Sequence, residues 1–396
     1  VSATVQTRPQ AAGRATMAVL VGVSICHMLN DMLQVLLPAV YPLLKGGFHL
    51  NFAQIGLITL VYQATGSLLQ PLVGLYTDAR PLPYSLPVGM ALSMSGIVTI
   101  AYAPSYGILL AGACLLGMGS SIFHPESARI ARAASGGRHG FAQSIFQVGG
   151  NFGQSLGPLL AAFFILPRGR ASMAWFAIAA LCGMAILTAL GHWFRASGHA
   201  RPRQRTALTA ADLDTRKVLV PLILLGVLMM SKFVYLSSIN SYYIFYLMHR
   251  FGLKVQAAQI DLFIFLASAA AGIMIGGPIG DRVGRRTVII GSILGVLPFT
   301  LALPYAGETM TVVLSIIIGL ILSSAFAAIV VYANELVPGR VGAVSGLFFG
   351  LAFGLAGLGA AGLGVVADWT SITTVYQICA VLPALGIVAL WLPKLH

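Results

Sequence analysis

The sequence is organised around apolar runs of about twenty residues, separated by short polar breaks. A helix of that length crosses a hydrocarbon layer of about 30 Å. Inside such a layer only helices and closed barrels satisfy their own backbone hydrogen bonds. A barrel would instead show alternating segments of about ten residues. The composition agrees: 58% of residues are hydrophobic and 8% charged, against about 25% charged in a water-soluble domain. A soluble globule, a disordered chain, a coiled coil and a collagen are excluded. The class is an all-α membrane protein. The first run, about 28 residues, lacks a small-residue cleavage pattern and reads as a span, not a signal peptide. The start at Val1 points to a trimmed N-terminus. The four cysteines lie in apolar runs without CxxC spacing, so neither a metal centre nor a disulfide framework is expected.

Spans are expected at about 16–44, 51–76, 84–103, 106–132, 141–166, 172–194, 217–248, 255–277, 287–304, 310–333, 341–366 and 372–392. This divides the chain into an N-terminal segment (1–15), a six-helix bundle (16–194), a charged linker (195–216) and a second six-helix bundle (217–396). With the N-terminus inside, the cytoplasmic segments hold 17 of the 23 basic residues, the outer loops hold 5, and Lys232 lies within a span. Cytoplasmic loops concentrate Lys and Arg, so both termini are expected in the cytoplasm. The net charge of +13 is then a topology signal, and no nucleic-acid partner is expected.

The halves echo each other. Gly74 and Asp78 follow span 2, as Gly277 and Asp281 follow span 8; Glu126 late in span 4 matches Glu335 at the end of span 10. Two six-helix repeats around a cytoplasmic linker are the pattern of a secondary transporter whose halves rock about a central site. The loop Gly277-Pro-Ile-Gly-Asp281-Arg282-Val-Gly-Arg285-Arg286 resembles the signature between helices 2 and 3 of the major facilitator superfamily, here in its second-half copy. Asp281 could accept bonds from helix-end amides or from an arginine across the interface, latching one state. The first copy (Gly74, Asp78, Arg80) lacks the following basic pair. In span 5, Gly149, Gly153 and Gly157 form a ridge for close packing, and Pro158 permits a kink. This stretch partly resembles the antiporter motif of drug/proton exporters; plain small-residue packing is the alternative.

Polar side chains inside spans are costly and therefore mark candidate function. His27, Asn30, Asp31 and Gln34 share one face of span 1, with Asp31 near mid-bilayer. Lys232 lies at a similar depth in span 7, followed on its face by Tyr235 and Tyr242. Asp31 and Lys232 are close to the repeat offset and are expected to face one central cavity, either as functional groups or as a structural pair. Span 5 adds Gln147 and Asn151, and span 4 adds His124 and Glu126, the latter also placed to pair with Arg129.

Longer strings go further. Ser24-Ile-Cys-His27-Met-Leu-Asn30-Asp31, Gly119-Ser-Ser-Ile-Phe-His124-Pro-Glu126-Ser127, the run from Ser135 to Asn151, Ser238-Ile-Asn-Ser-Tyr242-Tyr243 and Ala333-Asn-Glu335-Leu-Val-Pro-Gly-Arg340 together resemble the fosmidomycin-resistance exporters of the major facilitator superfamily. The resemblance covers about residues 16–393. It implies that superfamily's twelve-helix fold, a place in the bacterial inner membrane, and export of a small phosphonate bearing a hydroxamate in exchange for protons. On this reading Lys232, Asn30, Gln147, Asn151, Tyr235 and Tyr242 bind substrate, while Asp31, His124, Glu126 and His27 are the candidate proton carriers. A small-molecule substrate, protons and membrane lipid are the expected partners of a monomer. No cofactor, metal or enzymatic constellation is expected. A proton-coupled carrier of an unrelated sugar or organic anion shares the same overall pattern.

Overall fold

A computed structural model describes residues 16–80, 82–198, 215–337 and 341–393. The N-terminal segment 1–15 and linker residues 199–214 lie outside the described residues, as do the side chains of Asp78 and Asp281 and the surroundings of Gly277. Among the described residues every regular element is helical. Twelve long helices follow the twelve apolar runs: α1 (Met17–Ala39), α2 (Phe52–Ala79), α3 (Ser85–Tyr102), α4 (Tyr106–Ala133), α5 (His139–Leu160), α6 (Phe176–Ala196), α7 (Thr215–Phe251), α8 (Val255–Val283), α9 (Arg285–Ile293, resuming as Leu297–Ala302), α10 (Glu308–Ser323, resuming as Ala325–Leu336), α11 (Val341–Trp369) and α12 (Ile372–Val381, tightening into a 3-10 helix over Leu382–Trp391). Eleven of these described helices are apolar enough to cross a membrane by length and composition. The remaining one, α5, carries Gln143, Gln147, Asn151 and Gln154, and its polarity is what the site later uses.

The first span is shorter than its apolar run. α1 stops at Ala39, after Pro38, and the chain restarts as a short helix, Tyr41–Phe48, with Pro42 in its first turn. Proline tolerates a helix start but interrupts a helix interior. The kink expected near Pro158 takes a specific form: α5 widens into one π-helical turn over Ala161–Ile165. Proline and π-turns are both recognised places for a helix to bend, and here they lie within one turn of each other.

Within the first half, the small-residue ridge of α5 lies directly on α1. A methyl group added at Gly149 or Gly153 would run into the backbone carbonyls of Ser24 or Met28. The close approach that those glycines permit brings α5 side chains within hydrogen-bonding reach of Asp31. Each half also stitches its own helix ends with arginine. Arg129 on α4 donates to the Thr77 carbonyl of α2 at 2.8 Å and to its hydroxyl at 3.0 Å. Arg285 pairs with Glu335 at 2.9 Å, and Arg286 donates to the Leu390 carbonyl at 2.7 Å. The contacts named here lie inside one half; Asp281, the proposed acceptor of a latch from helix-end amides or an arginine across the interface, has its side chain outside the described residues. Arg80 and Arg282 are exposed.

The two halves meet mainly along α2 and α11, with α5 against α8 as a second seam. The seam is tightest at the end carrying Phe52 and Asp368. There the carboxylate of Asp368, at the end of α11, accepts from the backbone amides of Phe52 (2.8 Å) and Ala53 (2.7 Å) at the start of α2. A carboxylate at the C-terminus of its own helix is unfavourable for the helix dipole, but at the N-terminus of another it is stabilising. One residue therefore satisfies two orphan donors of the opposite half. Tyr242 donates to the Ala360 carbonyl at 2.6 Å beside the same seam, and Thr59 meets Ser241 at 3.3 Å across it. Farther along, α2 and α11 separate: a methyl group at Gly357 would lie 3.0 Å from Gln63, whereas at Gly350 or Gly354 the nearest atom is 3.9 Å away, on Ser67. Exposed Tyr102, Trp175, Tyr305 and Trp369 ring the Asp368 end, as aromatic side chains do at a membrane interface.

Replacing Asp368 with Ala should remove about 1 kcal/mol of cross-half capping, roughly a fivefold shift in population. Spin labels at Asn51 and Thr370 should then report a larger long-distance fraction by pulsed dipolar spectroscopy. An unchanged distance distribution would show that the cap does not hold this end closed.

Candidate functional site

The polar face of α1 is buried, and each of its members is engaged by a different neighbouring helix. Asp31 is 2% exposed. Its Oδ2 accepts from Gln154 Nε2 of α5 at 2.9 Å and faces His27 Nε2, one turn back on α1, at 3.4 Å. Its Oδ1 faces His124 Nε2 of α4 at 3.4 Å and accepts from Asn30 Nδ2 at 3.3 Å. Each carboxylate oxygen is thus met by one amide donor and one imidazole nitrogen.

The orientation of both imidazoles is fixed from behind. His27 Nδ1 lies 2.8 Å from the Phe146 carbonyl, and its ring stacks on that of Phe146 at 3.9 Å. His124 Nδ1 lies 3.0 Å from the Ser120 carbonyl. A carbonyl can only accept, so each Nδ1 carries its hydrogen and donates. Both Nε2 atoms are then left facing one carboxylate, ready to hold a proton or a lone pair. Gly150 makes room for this arrangement, because a methyl group there would collide with the His27 ring.

Asn30, read from the sequence as a substrate ligand, is fully buried and spent on support. It donates to Asp31 and accepts from Ser93 at 3.2 Å. Gln34 accepts from Tyr62 at 2.6 Å and from Ser120 at 3.2 Å, while its Nε2 is a buried donor without a partner. Asn151 Nδ2 is a second such donor on α5, with half-buried Gln147 one turn earlier. His124 is the accessible member of the cluster: its side chain is 23% exposed, and its ring lies 6.4 Å from that of Phe353 on α11. It therefore sits where the two halves face each other.

Lys232 is on α7, 2% exposed. It donates to the Ser323 carbonyl of α10 at 3.4 Å, with the rings of Phe233 and Phe326 each 5.6 Å away. Asp31 is not among its ion-pair partners, so the two do not form a buried pair; each is held within its own half. Tyr235, one turn along, is buried with an unpartnered hydroxyl. Tyr242 is committed to the α2–α11 seam, away from Lys232 by about 15 Å of helix rise. Glu126 also lies apart from the Asp31 cluster, accepting from Ser85 of α3 at 3.2 Å and facing Arg129 at 3.4 Å.

Three residues that the sequence left in the background prove central. Gln154 holds Asp31, Arg129 closes the end of α2, and Asp368 joins the halves. The signal for Asp368 was an acid at the wrong end of its own helix.

Sequence and structure comparisons agree with this architecture. The profile of the Major Facilitator Superfamily matches residues 23–260 and 223–396. The chain is 56% identical over 380 residues to the fosmidomycin resistance protein of Escherichia coli (strain K12), covering 96% of this chain and 94% of that protein. It is 41% identical over 388 residues to an uncharacterised transporter of the same superfamily, YfnC of Bacillus subtilis (strain 168), covering 97% and 95%. The fold is similar to that of the nucleoside transporter NupG (TM-score 0.74, 14% identity, covering 96% of this chain and 100% of that one). It is also similar to a bacterial homologue of the human lysosomal transporter Spinster in an inward-facing, unoccupied conformation (TM-score 0.71, 16% identity, covering 95% and 94%).

Gly150→Ala should push the His27 ring off Asp31 and lower transport at least about tenfold, the scale of a 1.4 kcal/mol loss. Gly107→Ala, where nothing lies near the added carbon, should be neutral in the same uptake assay on membrane vesicles. Equal activity of both variants would dissociate His27 from function.

Proposed function

The chain belongs to the major facilitator superfamily and is a multi-pass membrane transporter, not an enzyme, and from that premise we propose that it exports fosmidomycin-like phosphonates from the bacterial cytoplasm in exchange for protons. The substrate class rests on the close likeness to a fosmidomycin resistance protein. The geometry supports a small anionic cargo in particular. Lys232 carries a buried amine with no carboxylate in ion-pairing reach among the described residues. A buried cation without a counter-ion is costly, and a phosphonate would supply the missing charge to a compact point-charge ligand. Asn151 Nδ2, Gln34 Nε2 and the Tyr235 hydroxyl are buried polar groups that a cargo can satisfy, and a site built to hydrogen-bond its substrate rejects analogues that leave such groups unpaired.

The proton side falls to the Asp31 cluster, where, among the described residues, a carboxylate within a span meets two imidazoles. Glu126, tied to Ser85 and Arg129, is better suited to holding helices 3 and 4 together. Cargo and proton do not share a contact in this arrangement. On this reading an anion held at Lys232 would act on the partly exposed His124 through Coulomb's law in a low-dielectric setting, linking the two occupancies.

The concentration of arginine at the end opposite Asp368 supports a cytoplasmic position for that end. Both termini are then cytoplasmic, the Asp368 cap closes the periplasmic side, and the diverging ends of α2 and α11 open inward in a monomer of the inner membrane. Membrane potential contributes about 2.3 kcal/mol per charge moved per 100 mV, enough to support a several-tens-fold gradient of drug.

In proteoliposomes with an imposed pH gradient, Lys232→Gln should abolish fosmidomycin transport in every mode. Asp31→Asn should lose proton-driven accumulation at least about tenfold yet keep downhill exchange of the drug. Normal proton-driven accumulation by both variants would remove these residues from the mechanism.

A further inference from the structure

The packing of α1 against α4 sets His27, Asp31 and His124 around one point, with one ligand-type atom from each lying within 4.8 Å of the others. We propose that this cluster is also a binding site for a borderline-soft divalent cation of the Zn²⁺, Co²⁺ or Ni²⁺ type, which on the reading above would compete with the proton for the same atoms but whose binding does not depend on which cargo is carried. The distances favour a cation over direct bonding. Both imidazole Nε2 atoms lie 3.4 Å from the carboxylate, beyond the usual 2.7–3.2 Å of an N–H···O bond. A tetrahedral metal with ligands at about 2.0–2.1 Å separates its ligand atoms by about 3.3 Å. Here each imidazole lies about one such edge from its own carboxylate oxygen, and one ligand atom from each of the three residues lies within 4.8 Å of the others, close enough to contract onto a single ion.

The outer contacts are those of a metal site as well. Metal-binding imidazoles present one nitrogen to the ion and donate the other N–H to a carbonyl or carboxylate. Here Nδ1 of His27 is pinned to the Phe146 carbonyl and Nδ1 of His124 to the Ser120 carbonyl. Both Nε2 atoms are thereby turned inward. The carboxylate is oriented in its turn by Gln154 and Asn30. Two imidazoles and one carboxylate match zinc and its neighbours in the series, and not calcium or magnesium, which take oxygen cages. Entry is through His124, whose side chain is 23% exposed at the junction of the halves. Three protein ligands leave a fourth position for water. The spacing in sequence hides the site: His27 and Asp31 are one turn apart on α1, but His124 reaches them from α4.

The test uses the full-length protein, without a histidine tag, in lipid nanodiscs, titrated with Co²⁺ and followed by visible absorption. One equivalent should bind with the intense bands of low-symmetry cobalt. Zn²⁺ should displace it and Mg²⁺ should not. His27→Gln and His124→Gln should each weaken Zn²⁺ binding by about a hundredfold or more, since even outer partners of a metal site are worth about 10–100-fold. His192→Gln and His249→Gln, at exposed positions, should bind as the wild type does. His124→Cys guards against a folding defect: a thiolate keeps the ligand set and should add sulfur-to-cobalt charge-transfer absorption. Absence of cobalt bands up to millimolar metal would overturn the proposal. So would Zn²⁺ affinity unchanged in His124→Gln, or His124→Cys binding cobalt without the charge-transfer band.

Discussion

A carboxylate in the middle of a hydrocarbon layer is tolerable only if the protein replaces the water it has lost. Asp31 is such a group, and much of the first bundle is arranged to meet its needs. Four side chains from three helices converge on two oxygen atoms: His27 and Asn30 from α1, His124 from α4 and Gln154 from α5. The ridge of α5 lies on the α1 backbone, and without that approach Gln154 would fall short. The polarity that keeps α5 below the hydropathy of its eleven companions follows from the same need. A helix that carries carboxamides into the bundle cannot also be uniformly apolar.

The second bundle poses the complementary problem. Among the described residues, Lys232 is met by one backbone carbonyl and two aromatic rings. Cation–π contact and a single long hydrogen bond compensate a buried ammonium only in part. One half thus holds a carboxylate ringed by polar side chains and the other a buried lysine with few polar partners. On the proposed reading, this asymmetry is what would favour an anionic cargo beside Lys232. The seam between the halves is set by different chemistry. Asp368 uses a helix N-terminus of the other bundle as its counter-charge, a contact that can break and re-form as the halves rock without stranding a charge in lipid.

The helices were legible in the sequence because bilayer thickness imposes a run length that no other fold requires. The stripe His27, Asn30, Asp31, Gln34 was legible for the same kind of reason: period 3.6 in an apolar run leaves one polar face. What that face touches was not legible, because His124 and Gln154 arrive from helices about a hundred residues away, and periodicity within one helix carries no information about its neighbours. The repeat offset suggested Asp31 and Lys232 as partners, yet equivalent positions in two bundles are related by symmetry, not by contact. Asn30 and Tyr242 looked like cargo ligands for their polarity, and the packing instead uses one to hold Asp31 and the other to close the α2–α11 seam. Of the latch arginines, Arg285 pairs with Glu335 and Arg286 with the Leu390 carbonyl, both within the second half. The end of α1 came early because Pro38 and Pro42 bracket a break that mean hydropathy passes over.

The central claim is that cargo and proton occupancy are linked through Asp31 and its imidazoles. It is tested most directly by adding fosmidomycin to the purified protein in weakly buffered solution and following proton release or uptake with a pH-sensitive dye. A stoichiometric proton change in the wild type that is absent in Asp31→Asn, with drug binding retained, is the predicted result. The same proton change in both proteins would contradict the account.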